Sequence, residues 1–243
     1  MCRWSYIYLI LLWKSHYEII HTSRLFLYTA YMERMDQFFS QFPTRSYPKG
    51  EVILQQGEIP STGYVVRQGA VKIYSIDNSG TERPVVFDVR NEMFPIGWIF
   101  GKINHAVYFY EAFTDVTVCQ VDREEFLAGL KKDPLLMFDV FEYYVRRHLD
   151  LQLRIEGLEQ SRAQSKILYT LKFLCSRFGE SKSGQRIEIR LPLTQQDIAN
   201  FLGITRETAA IELKKLEKRG IIAHHHTFYI IHEEKLTTAL DEV

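Results

Sequence analysis

Seven residues, Met137, Phe141, Tyr144, His148, Leu151, Ile155 and Leu158, recur at spacings of 4, 3, 4, 3, 4 and 3. No other feature of the chain restricts its fold so strongly. A stripe that returns every 3.5 residues for about three heptads follows one helix face and marks a two-helix seam. The helix has a defined start. Asp133 stands at the N-cap and Pro134 at the first helical position, where a missing N–H costs nothing. One helix cannot bury so long a stripe alone, so residues 133–160 are expected to pair with a second copy of the chain. The alternative is that the stripe packs on the chain's own sheet. His148 interrupts the apolar series, either as a polar residue that sets register or as a pH-sensitive element.

Residues 33–132, upstream of this helix, read as β structure. Gly50, Gly57, Gly63, Gly69, Gly80, Gly97 and Gly101 punctuate the stretch from Tyr47 to Val121, with short β-branched or aromatic runs between them. Val71, Ile73 and Ser75 alternate with Lys72 and Tyr74. Asp77-Asn78-Ser79-Gly80 supplies turn chemistry, and Val85, Val86, Phe87 and Val89 resume the strand. Several short strands at such spacing predict a jelly roll or barrel. Glu124 to Gly129 reads as a short helix before the long one. The fold class is therefore α+β.

The first 32 residues differ from the rest. Ile7 to Trp13 is apolar between Arg3 and Lys14, but it is far shorter than the about 20 residues a bilayer span needs. No small-residue cleavage site follows it. Met32 and Met35 both precede the segment where regular patterning begins, so translation is expected to start near one of them. A genuine amphipathic leader is the alternative. Cys2, Cys119 and Cys175 lie far apart and form neither a CxxC pair nor a metal-ligand spacing, which fits a reduced, cytoplasmic compartment and no resident metal.

Formal charge balances over the whole chain, with 30 basic and 30 acidic residues, yet it is unevenly placed. Glu33 to Asp133 holds 11 Lys and Arg against 14 Asp and Glu, whereas Ser161 to Lys235 holds 13 against 8. A basic carboxyl-terminal part, 161–243, suits a module that meets phosphates. Its first helix is read from Ser165 to Phe178, with Ile167, Leu168, Leu171, Leu174 and Cys175 on one face, and a polar loop follows from Gly179 to Gly184. The next run, Leu193 to Leu216, is the most informative. Thr194 is an N-cap, with Asp197 in the first turn and Gln195 between them. Ile198, small Ala199 and Leu202 form a buried stripe. Gly203 stands where a left-handed turn is needed. Thr205 caps a second helix whose buried residues are Ala209, Leu213 and Leu216. Arg206, Glu207 and Ala210 are then left facing outward at the end that a recognition helix inserts into the major groove. Arg206 can bind guanine O6 and N7, and Glu207 can accept from cytosine N4. A plain helical hairpin with a solvated face is the bland alternative. Gly220-Ile221-Ile222 and Phe228 to Ile231 are expected to pair as a two-stranded wing. His224, His225 and His226 lie at its tip, placed for phosphate or solvent rather than for one metal ion, because neighbouring strand residues point to opposite faces.

The chain resembles the family of bacterial regulators typified by the cyclic-AMP receptor and the fumarate–nitrate-reduction regulator (CRP/FNR). The resemblance runs from about Met35 to the carboxyl terminus. It rests on Gly50-Glu51, Gly57-Glu58, Gly69, the long central helix, Thr205-Arg206-Glu207-Thr208, and Leu213-Lys214-Lys215-Leu216-Glu217. It implies a sensor β-roll, a dimer helix and a winged helix-turn-helix reading a palindromic site in double-stranded DNA. RNA polymerase would be a partner if the regulator is an activator. DNA contacts are implied for Thr194, Gln195, Thr205, Arg206, Glu207, Ala210, Ile211, Lys215 and His225. Ile211 stands where the family often has a second Arg, and an apolar contact to a thymine methyl is the expected substitute.

The sensor departs further. Phe94-Pro95-Ile96-Gly97-Trp98 stands where the cyclic-nucleotide binders have Phe-x-Gly-Glu, and Ala106-Val107 occupies the Arg-Ser place. Without that Arg and Glu, cyclic AMP is not expected as a ligand. Cys2 alone cannot hold an iron–sulfur cluster, and His105 is a weak axial ligand for haem. Phe94, Gly97, Trp98, Tyr108 and Tyr110 remain as a pocket for an apolar or aromatic effector; alternatively these rings simply fill the space. Two other classes compete. A cupin-like metalloenzyme needs several histidines in the barrel, where only His105 lies, and a non-DNA-binding adaptor would leave the recognition helix without a use. Neither an enzyme nor a membrane partner is expected.

Overall fold

The computed structural model describes residues 32–225 and 227–243. Apart from Met32, the leader lies outside the described residues. So does His226.

Eight strands form the front of the molecule: β1 (Thr44–Tyr47), β2 (Val52–Leu54), β3 (Gly63–Gln68), β4 (Val71–Ile76), β5 (Glu82–Asp88), β6 (Met93–Phe94), β7 (Phe109–Ala112) and β8 (Val116–Val121). They make two four-stranded antiparallel sheets in the orders β1-β8-β3-β6 and β2-β7-β4-β5. Val66, Val71, Ile73, Phe94, Ala112 and Val118 fill the core between them. The turn after β4 forms as its residues require. Asp77 accepts from the Ser79 and Thr81 N–H groups, and Gly80 takes a positive φ. Alternation in β4 is weaker than the sequence suggested, because Val71 through Tyr74 are all buried. Lys72 tolerates this because its ammonium meets Glu82 at 2.7 Å and Glu111 at 3.0 Å. One turn of helix, α2 (Ile96–Ile99), interrupts a stretch read entirely as strand.

A helix over 32–39, α1, packs Met35 and Phe39 against α3 (Arg123–Lys132) and α4 (Pro134–Glu159). α3 is longer than Glu124 to Gly129. Asp122 caps it by accepting from the Glu125 N–H, and Lys131 and Lys132 sit favourably at its carboxyl end. Asp133 caps α4 as expected, accepting from the N–H groups of Leu135 and Leu136. α4 buries Leu136, Val140 and Tyr143 against its own roll. Its opposite face carries Phe138, Phe141, Val145 and Leu149, all exposed.

The carboxyl-terminal unit comprises α5 (Ala163–Phe178), β9 (Gly179–Lys182), β10 (Arg186–Ile189), α6 (Gln195–Leu202), α7 (Arg206–Lys218), β11 (Ile222–His225), β12 (Phe228–His232) and α8 (Glu233–Asp241). The expected wing pair forms, β11 with β12, and β10 and β9 extend it to a four-stranded sheet in the order β11-β12-β10-β9. The segment from Gly179 to Gly184 is thus not simply a polar loop; most of it is strand β9, whose four residues are all exposed. This unit is seated on the roll through aromatic rings. Phe87 of β5 packs against Phe113, Phe178 and Phe201 at centroid distances of 4.8, 6.4 and 5.8 Å. The Arg154 guanidinium of α4 lies over the Phe201 ring at 3.5 Å and donates to the Pro84 carbonyl at 2.9 Å.

Candidate nucleic-acid interface

α6 and α7 are set by local chemistry. Thr194 and Asp197 form a reciprocal capping box: the Thr194 hydroxyl accepts from the Asp197 N–H, and the Asp197 carboxylate accepts from the Thr194 N–H. α6 ends at Gly203 with φ 66°, a left-handed position that a residue with a Cβ reaches only at a cost. Thr205 then caps α7 by accepting from the Thr208 N–H. Ala209, Leu213 and Leu216 face inward, which fixes what faces outward.

Arg206 and Glu207 are exposed and have no ion-pair or hydrogen-bond partner among the described residues. Ala210 is half-buried beside them, and Ile211 is 56% exposed, a large apolar side chain held open to solvent. Lys214 lies on the same face, exposed and unpaired among the described residues, and was not singled out from the sequence. The 3.6-residue period linking Glu207, Ala210, Ile211 and Lys214 is the signal that could have found it. Lys215 points to the edge of this face and is held by Glu212 at 2.6 Å. Thr194 is exposed and Gln195 half-buried at the start of α6. On β11, His225 is exposed and lies 3.7 Å from the Glu188 carboxylate, while the His224 ring packs on Tyr229.

The residues named for an effector pocket are brought together only in part: Phe94, Tyr108 and Tyr110 share one core, and Trp98 lies against another. Phe94 is stacked between Tyr64 and Tyr110 at centroid distances of 5.1 and 5.0 Å, with Tyr108 packed on the same core. Trp98 belongs to the separate core under α1, α3 and α4, with Arg123 over its ring. Ile103 covers Gly97 so closely that a Cβ there would lie 2.6 Å from its side chain. Ala106, at the place of the cyclic-nucleotide cassette's Arg, is fully buried and its N–H pairs with the Glu58 carbonyl. These residues do not fit a cyclic nucleotide: a phosphate there would meet rings and methyl groups. Among the described residues no group of three or more His, Cys, Asp or Glu is placed to hold a metal ion.

One charged cluster had no signature in the sequence. Asp88 and Glu92 of the roll, Arg147 and Asp150 of α4 and Arg177 of α5 meet in a buried joint. Arg147 reaches Asp88 at 2.6 Å and Glu92 at 3.3 Å. Arg177 reaches Glu92 at 2.8 Å and Asp150 at 3.5 Å. Burial pushes the Glu92 carboxyl up to about 7; the arginines oppose this and the neighbouring Asp88 charge reinforces it.

A β-roll joined by a long helix to a winged helix-turn-helix, with an open guanidinium and carboxylate at the start of its second helix, defines a DNA-binding regulator with an attached β-roll domain. Comparisons with known proteins agree. The cyclic nucleotide-binding domain matches residues 44–133, and the Crp-like helix-turn-helix domain matches 166–239. The nitrogen fixation regulation protein FixK of Rhizobium meliloti is 31% identical over 178 residues, 73% of this chain and 77% of that one. The cyclic AMP receptor protein of Thermus thermophilus is 25% identical over 190 residues, 78% of this chain and 84% of that one. The solved structure of FixK2 from Bradyrhizobium japonicum superposes with a TM-score of 0.67 at 21% identity, covering 81% of this chain and 96% of that one. The chain belongs to the CRP/FNR family of transcription regulators, which are DNA-binding proteins and not enzymes.

Proposed function

We propose that the chain works as a homodimer that reads a palindromic promoter site. Residues 33–132 serve as the sensor, 133–160 as the dimer helix and 161–243 as the DNA-binding unit. The observation that carries this reading is the outer face of α7. Arg206 and Glu207 stand exposed and unpaired among the described residues, next to Ala210, Ile211 and Lys214. A carboxylate on a surface that approaches phosphates is repelled by them, so Glu207 has a use there only if it accepts from a base. Thr194, Gln195, Thr205, Lys215 and His225 flank this face and supply phosphate contacts.

The second copy is supplied by α4, whose open face leaves Phe138, Phe141, Val145 and Leu149 in solvent on one chain. Met137, His148, Leu151, Ile155 and Leu158, also exposed, extend it to one side. Tyr144 is different: it is half-buried and perpendicular to Phe100 at 6.0 Å, so it packs on its own roll. Pairing of two α4 helices sets the two copies of α7 about one DNA turn apart, roughly 34 Å. The protein acts in the cytoplasm, and RNA polymerase is its partner at promoters it activates. No helix of the described residues is long and apolar enough to cross a membrane.

Footprinting of the purified protein on the fragment upstream of its own reading frame tests this. A protected palindrome, bound by a dimer and lost as salt is raised, is the expected result. A monomer that protects nothing at low ionic strength would overturn the reading.

A further inference from the structure

Inside the roll Phe94 stacks on Tyr64 and Tyr110, and a cleft of about 380 Å³ opens elsewhere, where the roll, α4 and α5 meet. That volume suits a small metabolite. Its walls carry four guanidinium groups: Arg90 from the β5–β6 turn, Arg146 and Arg147 from α4, and Arg177 from α5. Tyr143 and Ser176 add hydroxyls; among the described residues two carboxylates, Glu92 and Asp150, line the same space, and Asp36 and Asp88 pair with Arg90 and Arg147 beside it. We propose that this cleft is the effector site, and that it takes a small organic or inorganic anion carrying two or more negative charges.

Arginine forks suit carboxylate and phosphate groups because each can present two parallel N–H donors. The lining is arranged in depth. Arg147 and Arg177 are 16% and 7% exposed and already face Asp88, Glu92 and Asp150. Arg90 stands further out, 54% exposed, and is shared with Asp36 of α1. An anion that enters meets the outer arginines first and competes for the inner ones with Glu92. That carboxylate is poorly solvated and is readily neutralised by a proton, which leaves the cleft more positive.

Position gives such binding a consequence. The cleft is lined by all three parts of the molecule, so an anion favours whichever arrangement brings its arginines together. A ligand shifts a conformational equilibrium only through such a difference in affinity. This inference rests on the reading of the chain as a DNA-binding regulator, but the anion titrations that test it do not use DNA.

Thermal unfolding of the full chain is followed while citrate and, separately, inorganic phosphate are titrated in, each against sodium chloride of matched ionic strength. The same titrations are run on the Arg90→Ala/Arg146→Ala double variant, on Arg146→Gln alone, and on Arg206→Ala, which alters only the DNA face. Saturable stabilisation by at least one of the two anions is expected. It should weaken by about tenfold or more in the double variant, weaken measurably in Arg146→Gln, and persist in Arg206→Ala. Citrate acting alone assigns the site to carboxylates, and phosphate acting alone assigns it to phosphate groups. No effect beyond chloride, or an equal effect in the cleft variants, overturns the proposal. Loss in Arg206→Ala instead would place the anion on the DNA face and overturn it equally. Gel shift of Arg90→Ala/Arg146→Ala without added anion keeps the DNA reading separate, because neither residue lies on α7.

Discussion

Arg177, on the first helix of the DNA-binding unit, donates to Glu92 of the roll at 2.8 Å, with both side chains almost wholly removed from solvent. The same guanidinium donates to the Phe87 carbonyl at 3.2 Å and lies 3.5 Å from Asp150. One side chain therefore ties three parts of the chain together. Replacing Arg177 by Ala leaves Glu92 buried with Arg147 as its remaining cation among the described residues, and breaking a buried pair in this way costs about 3–5 kcal/mol. Urea unfolding of Arg177→Ala measures it. Glu92→Gln/Arg177→Ala should be less destabilised than the sum of the single changes, because the stranded charge is gone. Additive losses would show that the two groups do not act as a pair.

Glu92 also makes stability depend on pH. Burial lifts its carboxyl to about 7 in the folded chain, above its ordinary range. The folded state then holds a proton that the unfolded state has released. Stability from this group is complete below the ordinary carboxyl range and is lost as pH rises through about 7. Wild type should lose stability relative to Glu92→Gln between about pH 5 and pH 8, by an amount on the order of 2 kcal/mol. Asp150, also raised by burial, acts with the same sign but is present in both proteins and largely cancels. Calorimetry of the two proteins across this window checks the sign; a difference that is flat or that grows the other way refutes it.

Much of α6 and α7 could be read from sequence because their determinants are local. Thr194 and Asp197 are three residues apart, and Gly203 and Thr205 adjoin the turn they make. The joint could not be read, since Glu92 and Arg177 lie 85 positions apart and each looks like an ordinary surface charge. β9 escaped for a different reason: all four of its residues are exposed, so no alternation marks it. α4 was legible in extent but not in orientation. It carries apolar residues around most of its circumference, and the heptad series assigned Tyr144 to the partner face while passing over Phe138, Val145 and Leu149, which are exposed.

Two glycines separate backbone strain from steric conflict. Gly203 has φ 66° with open space where a Cβ would stand, so Gly203→Ala carries only the left-handed penalty, about 1–2 kcal/mol. Gly69 has φ 83°, and a Cβ there would overlap the Asp115 carbonyl oxygen and lie 2.8 Å from the Thr114 hydroxyl. Gly69→Ala should cost more than Gly203→Ala, at roughly 3 kcal/mol or above. Chemical denaturation of the two variants orders them, and equal losses would show that the roll yields at this turn.

On α7, Arg206 and Lys214 should fail differently. Arg206→Ala is expected to weaken the specific site by about 1–3 kcal/mol and random DNA by less. Lys214→Ala should weaken both alike and flatten the salt dependence by about one phosphate contact. Gel shifts on the footprinted site and on a scrambled duplex at several salt concentrations distinguish them. Equal loss on both duplexes for Arg206→Ala would remove its role in reading bases.

The open face of α4 yields the last expectation. Phe138 is 57% exposed, Phe141 61% and Leu149 57%, on a helix whose opposite face already packs on its own roll. Exposed apolar side chains in that number need a partner surface, and a second α4 offers one. A carboxylate at Phe141 would face its own image across a two-fold seam, where two like charges and lost apolar contact both oppose pairing. The fold of one chain does not depend on Phe141, because Leu136, Val140 and Tyr143 hold α4 to the roll. Phe141→Glu should therefore keep its secondary structure by circular dichroism and shift from dimer to monomer by analytical ultracentrifugation. Its affinity for a full palindrome should fall towards that for a single half-site. A variant that remains dimeric at micromolar concentration would place the dimer contact on some surface other than this face of α4.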